Sequence, residues 1–178
     1  YKRQYLYGEG DTRMEDVVGD LFSKQGKTVS VADACTGGLL SHRLTNVTGS
    51  SGYFRGSLVP YIGEPQKRLL SLKPDTIARH GQVSEEAAKE MAEGIRKLMQ
   101  TDIGLAVIGI TGPGEVREGI RTGTTCLALC MEDGVVSREY NLWRDSEWDK
   151  IIASQLSLDW LRRALLQMPI VESGFIRK

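Results

Sequence analysis

The segment Asp102 to Thr111, DIGLAVIGIT, constrains the fold more than any other stretch of the chain. It is nearly all apolar and lacks the two-residue alternation of a half-solvated strand, so it reads as a strand covered on both faces. Strands of that kind belong to sheets with helices packed on either side. Its most hydrophobic part, Ile103 to Thr111, contains two glycines and is about half the length a helix needs to cross a bilayer. No membrane-spanning segment is expected.

The flanking patterns agree with a layered α/β domain. Met14, Val17, Val18, Leu21 and Phe22 recur at helical spacing, with Gly26 as a stop. Thr28 to Ala32 reads as a short strand, followed by the turn Ala34-Cys35-Thr36-Gly37-Gly38 and the helical residues Leu39, Leu40 and Leu44. Strand, glycine turn and helix in that order open a parallel α/β unit. Tyr53 to Tyr61 is a second strand candidate, which Pro60 keeps from a central position. Helices are predicted over Asp75 to Arg79 and Ser84 to Gln100; in the second, Ser84 is the N-cap and Ala88, Met91, Ala92, Ile95 and Leu98 share a face. Thr124 to Met131 and Val135 to Trp143 are strands joined by a hairpin turn at Asp133-Gly134. Trp148 to Gln167 is a long helix with Ile151, Leu158, Leu161 and Leu165 as its buried stripe, stopped by Pro169.

Charge and cysteine content exclude whole classes of partner. The 178 residues carry 23 Lys plus Arg against 23 Asp plus Glu, a net charge of zero, whereas nucleic acid and anionic membranes are captured by a surplus of cations. The three cysteines, Cys35, Cys126 and Cys130, form neither a disulfide framework nor a zinc signature, which favours a reducing, cytoplasmic compartment. His42 and His80 are far apart and in no ligand pattern, so no metal is expected.

Two glycine loops stand out. VADACTGGLLSHRL places backbone N–H groups and a hydroxyl at the start of a helix, which suits a phosphate or carboxylate, although a tight turn alone would explain the glycines. ITGPGEVREG follows the most buried strand, and ligands of open α/β sheets gather at carboxyl ends of strands. Neither loop matches a P-loop or a GxGxxG fingerprint, so no ATP or NAD cofactor is expected. Cys35, just ahead of a helix, is either a nucleophile or a small buried residue, and the second reading is favoured.

Taken together, ACTGGLLSHRLTNVTGSSGYFRGSLVPY, RLL, HGQVSEEAAKEMAEG, GLAVIGITGPG and GTTCLAL resemble the C-terminal domain of the CinA family over roughly Glu15 to Leu166. The resemblance implies a three-layer α/β/α sandwich around a mostly parallel, mixed sheet, and frequent self-association. In active members it implies hydrolysis of the amide of nicotinamide mononucleotide, releasing ammonia. In longer members the domain follows a molybdopterin-binding-like domain. On that pattern residues 1–12, beginning YKRQYLYGEGD, are expected to be a linker from an upstream domain, 13–168 the domain itself and 169–178 a tail. The ligand-binding residues expected are Thr36, Gly37 and Gly38, then Arg55, Gly56 and Tyr61, then Thr111, Gly112, Pro113 and Gly114.

Departures from the family pattern fall on its chemistry. Active members read A-E-S-C-T-G-G with the serine as nucleophile, whereas Ala32-Asp33-Ala34-Cys35-Thr36-Gly37-Gly38 stands here. The family's A-Y-S-N-E-A-K, whose lysine takes the serine proton, aligns with Pro60-Tyr61-Ile62-Gly63-Glu64-Pro65-Gln66, so Tyr61 is retained and Gln66 replaces the lysine, with Lys67 adjacent. Arg144-Asp145-Ser146 stands where the family has G-D-R. Three readings follow. The first is a degenerate deamidase that keeps its fold and a nucleotide pocket. The second is a hydrolase that uses Cys35 with Tyr61 or Lys67. The third is a structural module that dimerises a neighbouring domain, with Trp143 and Trp148 at the interface.

Overall fold

The apolar run forms a central strand of a five-stranded sheet in the computed structural model, which describes residues 11–60, 69–111, 120–142 and 145–170. Its strands are β1 (Val29–Ala34), β2 (Phe54–Leu58), β3 (Ile103–Gly109), β4 (Thr124–Met131) and β5 (Gly134–Asn141), in the order β2-β1-β3-β4-β5. β1 pairs in parallel with β2 and β3, while β4 runs antiparallel to β3 and β5. The sheet is therefore mixed, with β4 alone reversed. Pro60 lies just past β2, an edge strand, where its missing N–H breaks no central ladder. Gly134, with φ of 144°, closes the β4–β5 hairpin.

Among the described residues, five α-helices cover the two faces: α1 (Met14–Gln25), α2 (Leu39–Thr45), α3 (Pro74–His80), α4 (Glu85–Met99) and α5 (Ser146–Leu165). Val29, Val31, Leu105, Val107, Leu127 and Leu129 point to the face shared with α1, α2 and α5. Alternate residues of the same strands, Ala32, Ala106, Cys126, Ala128 and Cys130, face α4, with α3 packed outside it. The result is the three-layer sandwich that the resemblance implied. Small residues on the α4 side let the helix lie close on the sheet. A Cβ on Gly104 would stand 2.2 Å from the Ala92 carbonyl oxygen, so only glycine fits there.

The helix ends follow their sequence signals. Ser84 caps α4 by accepting from the Ala87 N–H at 3.2 Å, and Gly26 ends α1 in the left-handed region. Asp145 caps α5 by accepting from the N–H groups of Glu147 and Trp148. Two expected core positions are corrected. Leu98 keeps the spacing of its helix but lies in the last turn, 50% exposed. Ile151 is 39% exposed, because that end of α5 turns Asp149, Ala153 and Ser154 inward, and apolar spacing cannot see buried polar residues.

One polar network joins three helices. The Arg43 guanidinium of α2 meets the Glu15 carboxylate of α1 at 2.7 Å and also donates to the Ser154 hydroxyl and the Gln155 side-chain carbonyl of α5. Among the described residues, no helix is long and apolar enough to cross a membrane. The linker and the tail expected at the two ends fall largely outside the described residues.

Candidate functional site

The carboxyl ends of β1 and β3 lie side by side, Ala34 in register with Ile108, so the turn after β1 sits at the edge where ligands of such sheets gather. Asp33, fully buried, organises that turn. One carboxylate oxygen accepts from the N–H groups of Thr36 at 2.7 Å and Cys35 at 3.3 Å. The other accepts from the Gly38 N–H at 3.0 Å and from the Thr36 hydroxyl. The Thr36 oxygen in turn accepts from the Leu40 N–H at 3.2 Å, which ties the turn to the first residues of α2. Gly37 and Gly38 have φ of 68° and 96°, conformations that disfavour any side chain.

Ala34, partly exposed at the end of β1, presents only a methyl group. Its neighbour Cys35 is 8% exposed, with its sulfur 4.0 Å from the Thr125 hydroxyl. Gly109 makes this possible, since a Cβ there would stand 3.0 Å from the Cys35 sulfur and 2.7 Å from Thr125 Oγ1. Burial pushes the Cys35 thiol up to about 12; a hydrogen bond with Thr125 opposes the rise and the nearby charges of Asp33 and Asp149 add to it. A thiol so placed stays protonated at neutral pH, as the buried reading of Cys35 requires. In native protein at pH 8, iodoacetamide should therefore alkylate Cys35 at least about 100-fold more slowly than a free thiol, as mass spectrometry would report. Rapid labelling of Cys35 in folded protein would refute this placement.

The other expected site residues are only partly assembled. Thr111, just past β3, accepts from the Ser146 hydroxyl at 3.2 Å, which brings the start of α5 to the same edge. Asp149, in the first turns of α5, is fully buried. Thr36 is 3% exposed, with its N–H and its hydroxyl both committed to Asp33, so it belongs to the frame of the turn. Gly56 is in register with Ser30, at the opposite end of β1 from Ala34, and Arg55 precedes it on β2. Four strand residues separate the two levels, roughly 13 Å. Tyr61, Gln66, Lys67, Gly112, Pro113, Gly114, Trp143 and Arg144 lie outside the described residues.

His42 and His80 both have local partners. His42 Nε2 is 3.0 Å from the Asn46 amide nitrogen, and His80, the last residue of α3, lies 3.8 Å from Glu86. Among the described residues, no group of three or more histidine, cysteine or acidic side chains is placed to hold a metal ion. A polar cleft of about 670 Å³ opens along the carboxyl edge on the α4 side, between His80, Glu86, Arg121, Thr124 and Asn141. A larger trough of about 1020 Å³ involves Lys27, Asp102, Met131 and Asp133, at the opposite end of the sheet, and none of the turn residues line it. None of the turn residues line the smaller cleft either. Asp33 escaped the residue-type search, although an acid three residues before a threonine, with two glycines following, is the pattern of a side chain that bonds its own turn.

A family model described as CinA C-terminal domain matches residues 11–165. A CinA-like protein of Dictyoglomus thermophilum is 42% identical over 164 residues, covering 92% of this chain and 40% of that protein. A putative competence-damage inducible protein of Alkaliphilus oremlandii is 39% identical over 161 residues, covering 90% and 39%. The chain thus spans about 40% of the length of these curated relatives. Among solved structures, the competence or damage-inducible protein of Enterobacter asburiae superposes with a TM-score of 0.83 at 28% identity, over 87% of this chain and 99% of that one. A CinA superfamily protein of Enterobacter cloacae gives 0.82 at 27% identity, over 90% and 96%.

Proposed function

We propose a function that starts from a plain premise: the chain belongs to the CinA C-terminal domain family. On this reading it is a degenerate nicotinamide mononucleotide deamidase, which binds a pyridine nucleotide at the carboxyl edge of its sheet and does not hydrolyse it. It acts in the cytoplasm, self-associates and needs no cofactor.

Amide hydrolysis by acyl transfer needs a lone pair aimed at the carboxamide carbon and a base to take the nucleophile's proton. Family resemblance puts the lone pair at position 34 and the base at position 66, and here the residues are Ala34 and Gln66. The observation that carries the reading is the state of the turn around Ala34. The methyl group offers no nucleophile, the adjacent Cys35 thiol is buried with its ionisation pushed up to about 12, and the Thr36 hydroxyl donates to Asp33. Where nucleophile and base act as a unit, losing either costs on the order of 10⁴ to 10⁶ in rate.

The test is ammonia release from nicotinamide mononucleotide. The unmodified chain should release none above buffer, and Ala34→Ser combined with Gln66→Lys should restore turnover if the pocket keeps its orientation. Turnover by the unmodified chain would overturn the proposal. Binding is read separately by thermal shift, since nucleotide at 100 times its dissociation constant adds about 2.7 kcal/mol of stability. A second reading, the purely structural module, draws on Trp148 and Ile151, which are 49% and 39% exposed and three residues apart on α5. Absence of any shift at saturating nucleotide would favour it.

A further inference from the structure

The turn after β1 carries a negative charge of its own. Asp33 is fully buried and takes four donors: the N–H groups of Cys35, Thr36 and Gly38, and the Thr36 hydroxyl. A carboxylate has about four acceptor sites, so these donors match its capacity. A buried carboxylate without such partners would be strongly destabilising, which explains why so many converge on one side chain. A ligand phosphate or carboxylate seated in this turn would need the same N–H groups and the same hydroxyl. It would also meet a like charge at contact distance in a region of low dielectric.

We propose that Asp33 is the positioning residue of the site, a built-in anion that occupies the donors of the turn, holds Ala34 and Cys35 in place and excludes the anionic part of any ligand. The turn then faces an uncharged portion of the ligand, and a nucleotide's phosphate must be held elsewhere along the edge. The statement about the nucleotide rests on the function proposed above. The statement about Asp33 does not, and it is tested without nucleotide.

In Asp33→Gly the carboxylate is removed and its donors are left behind, so added acetate should take its place. The thermal midpoint of the variant should lie below that of the parent and rise saturably with acetate by roughly 3 °C or more, with no such rise in chloride at equal ionic strength. The parent should show no saturable response to acetate. Should Asp33→Gly fail to fold, Asp33→Asn keeps the volume but turns an N–H₂ group toward two of the donors. Amide hydrogen exchange at Thr36 and Gly38 should then quicken about tenfold or more relative to Val31 within β1. A parent and variant that respond alike to acetate, or amides that keep their protection in Asp33→Asn, would overturn the proposal. Neither measurement involves hydrolysis, so failure here leaves the deamidase question untouched.

Discussion

Alanine at Gly123 is expected to cost about 2–5 kcal/mol and to lower the urea midpoint accordingly. Gly123 has φ of 86°, and a Cβ there would lie 2.0 Å from the carbonyl oxygen of Leu142. Neither partner can step aside cheaply, because Gly123 donates to the Ile110 carbonyl and accepts from the Leu142 N–H, each at 2.8 Å. The left-handed backbone contributes about 1–2 kcal/mol of the cost and overpacking about 1–3. Against a typical domain stability of about 5–15 kcal/mol the loss is large. Gly26 supplies the control: its φ is 62°, nothing lies within 4 Å of its Cβ position, and alanine there should cost only the backbone share. Equal midpoints for the two variants would show that the contact with Leu142 is not tight.

The second large effect is expected at Arg43. Methionine there keeps much of the volume of the stem but removes the cation from Glu15, whose side chain is only 9% exposed. Removing one partner of a buried ion pair costs about 3–5 kcal/mol, and the 17% exposure of the Arg43 side chain places this case at the lower end. Its hydrogen bonds to Ser154 and Gln155 are lost as well. The double variant Arg43→Met with Glu15→Gln should recover part of that loss, since no uncompensated charge remains. Urea unfolding of the four proteins in the cycle measures the coupling. A single-variant cost below about 1 kcal/mol would mean that Glu15 finds water or another cation.

These two residues also mark where sequence reasoning ended. The elements themselves were legible, because DIGLAVIGIT, the Ser84 cap and the Asp133-Gly134 turn each report a local cause: two-sided burial, an orphan N–H group, a tight reversal. Buried polar residues were not. Nothing in their spacing marks Asp33, Glu15 or Asp149 as interior, or Arg43 as the half-buried partner of Glu15, because their burial is decided by partners on distant elements, or within a turn whose geometry must first exist. The same limit accounts for Ile151, displaced outward by an inward acid. Reasoning from residue types found the glycine turn and the exposed tryptophan of α5, Trp148, and overlooked the carboxylate that shapes the turn.

The order of the strands along the sheet has a kinetic consequence. β1 sits between β2 and β3, and Thr28, which precedes it, is latched to Asp102 across 74 positions of chain. β4 and β5, by contrast, are joined by a two-residue reversal. Closing the long loop costs entropy before any of its contacts repay it, so the hairpin side of the sheet should assemble quickly and the β1–β3 seam late. Until β3 arrives, one edge of β1 stands with its ladder groups unpaired and Val29 and Val31 beside them. That makes the growing chain most prone to pairing with its neighbours after β2 has been made and before β3 has.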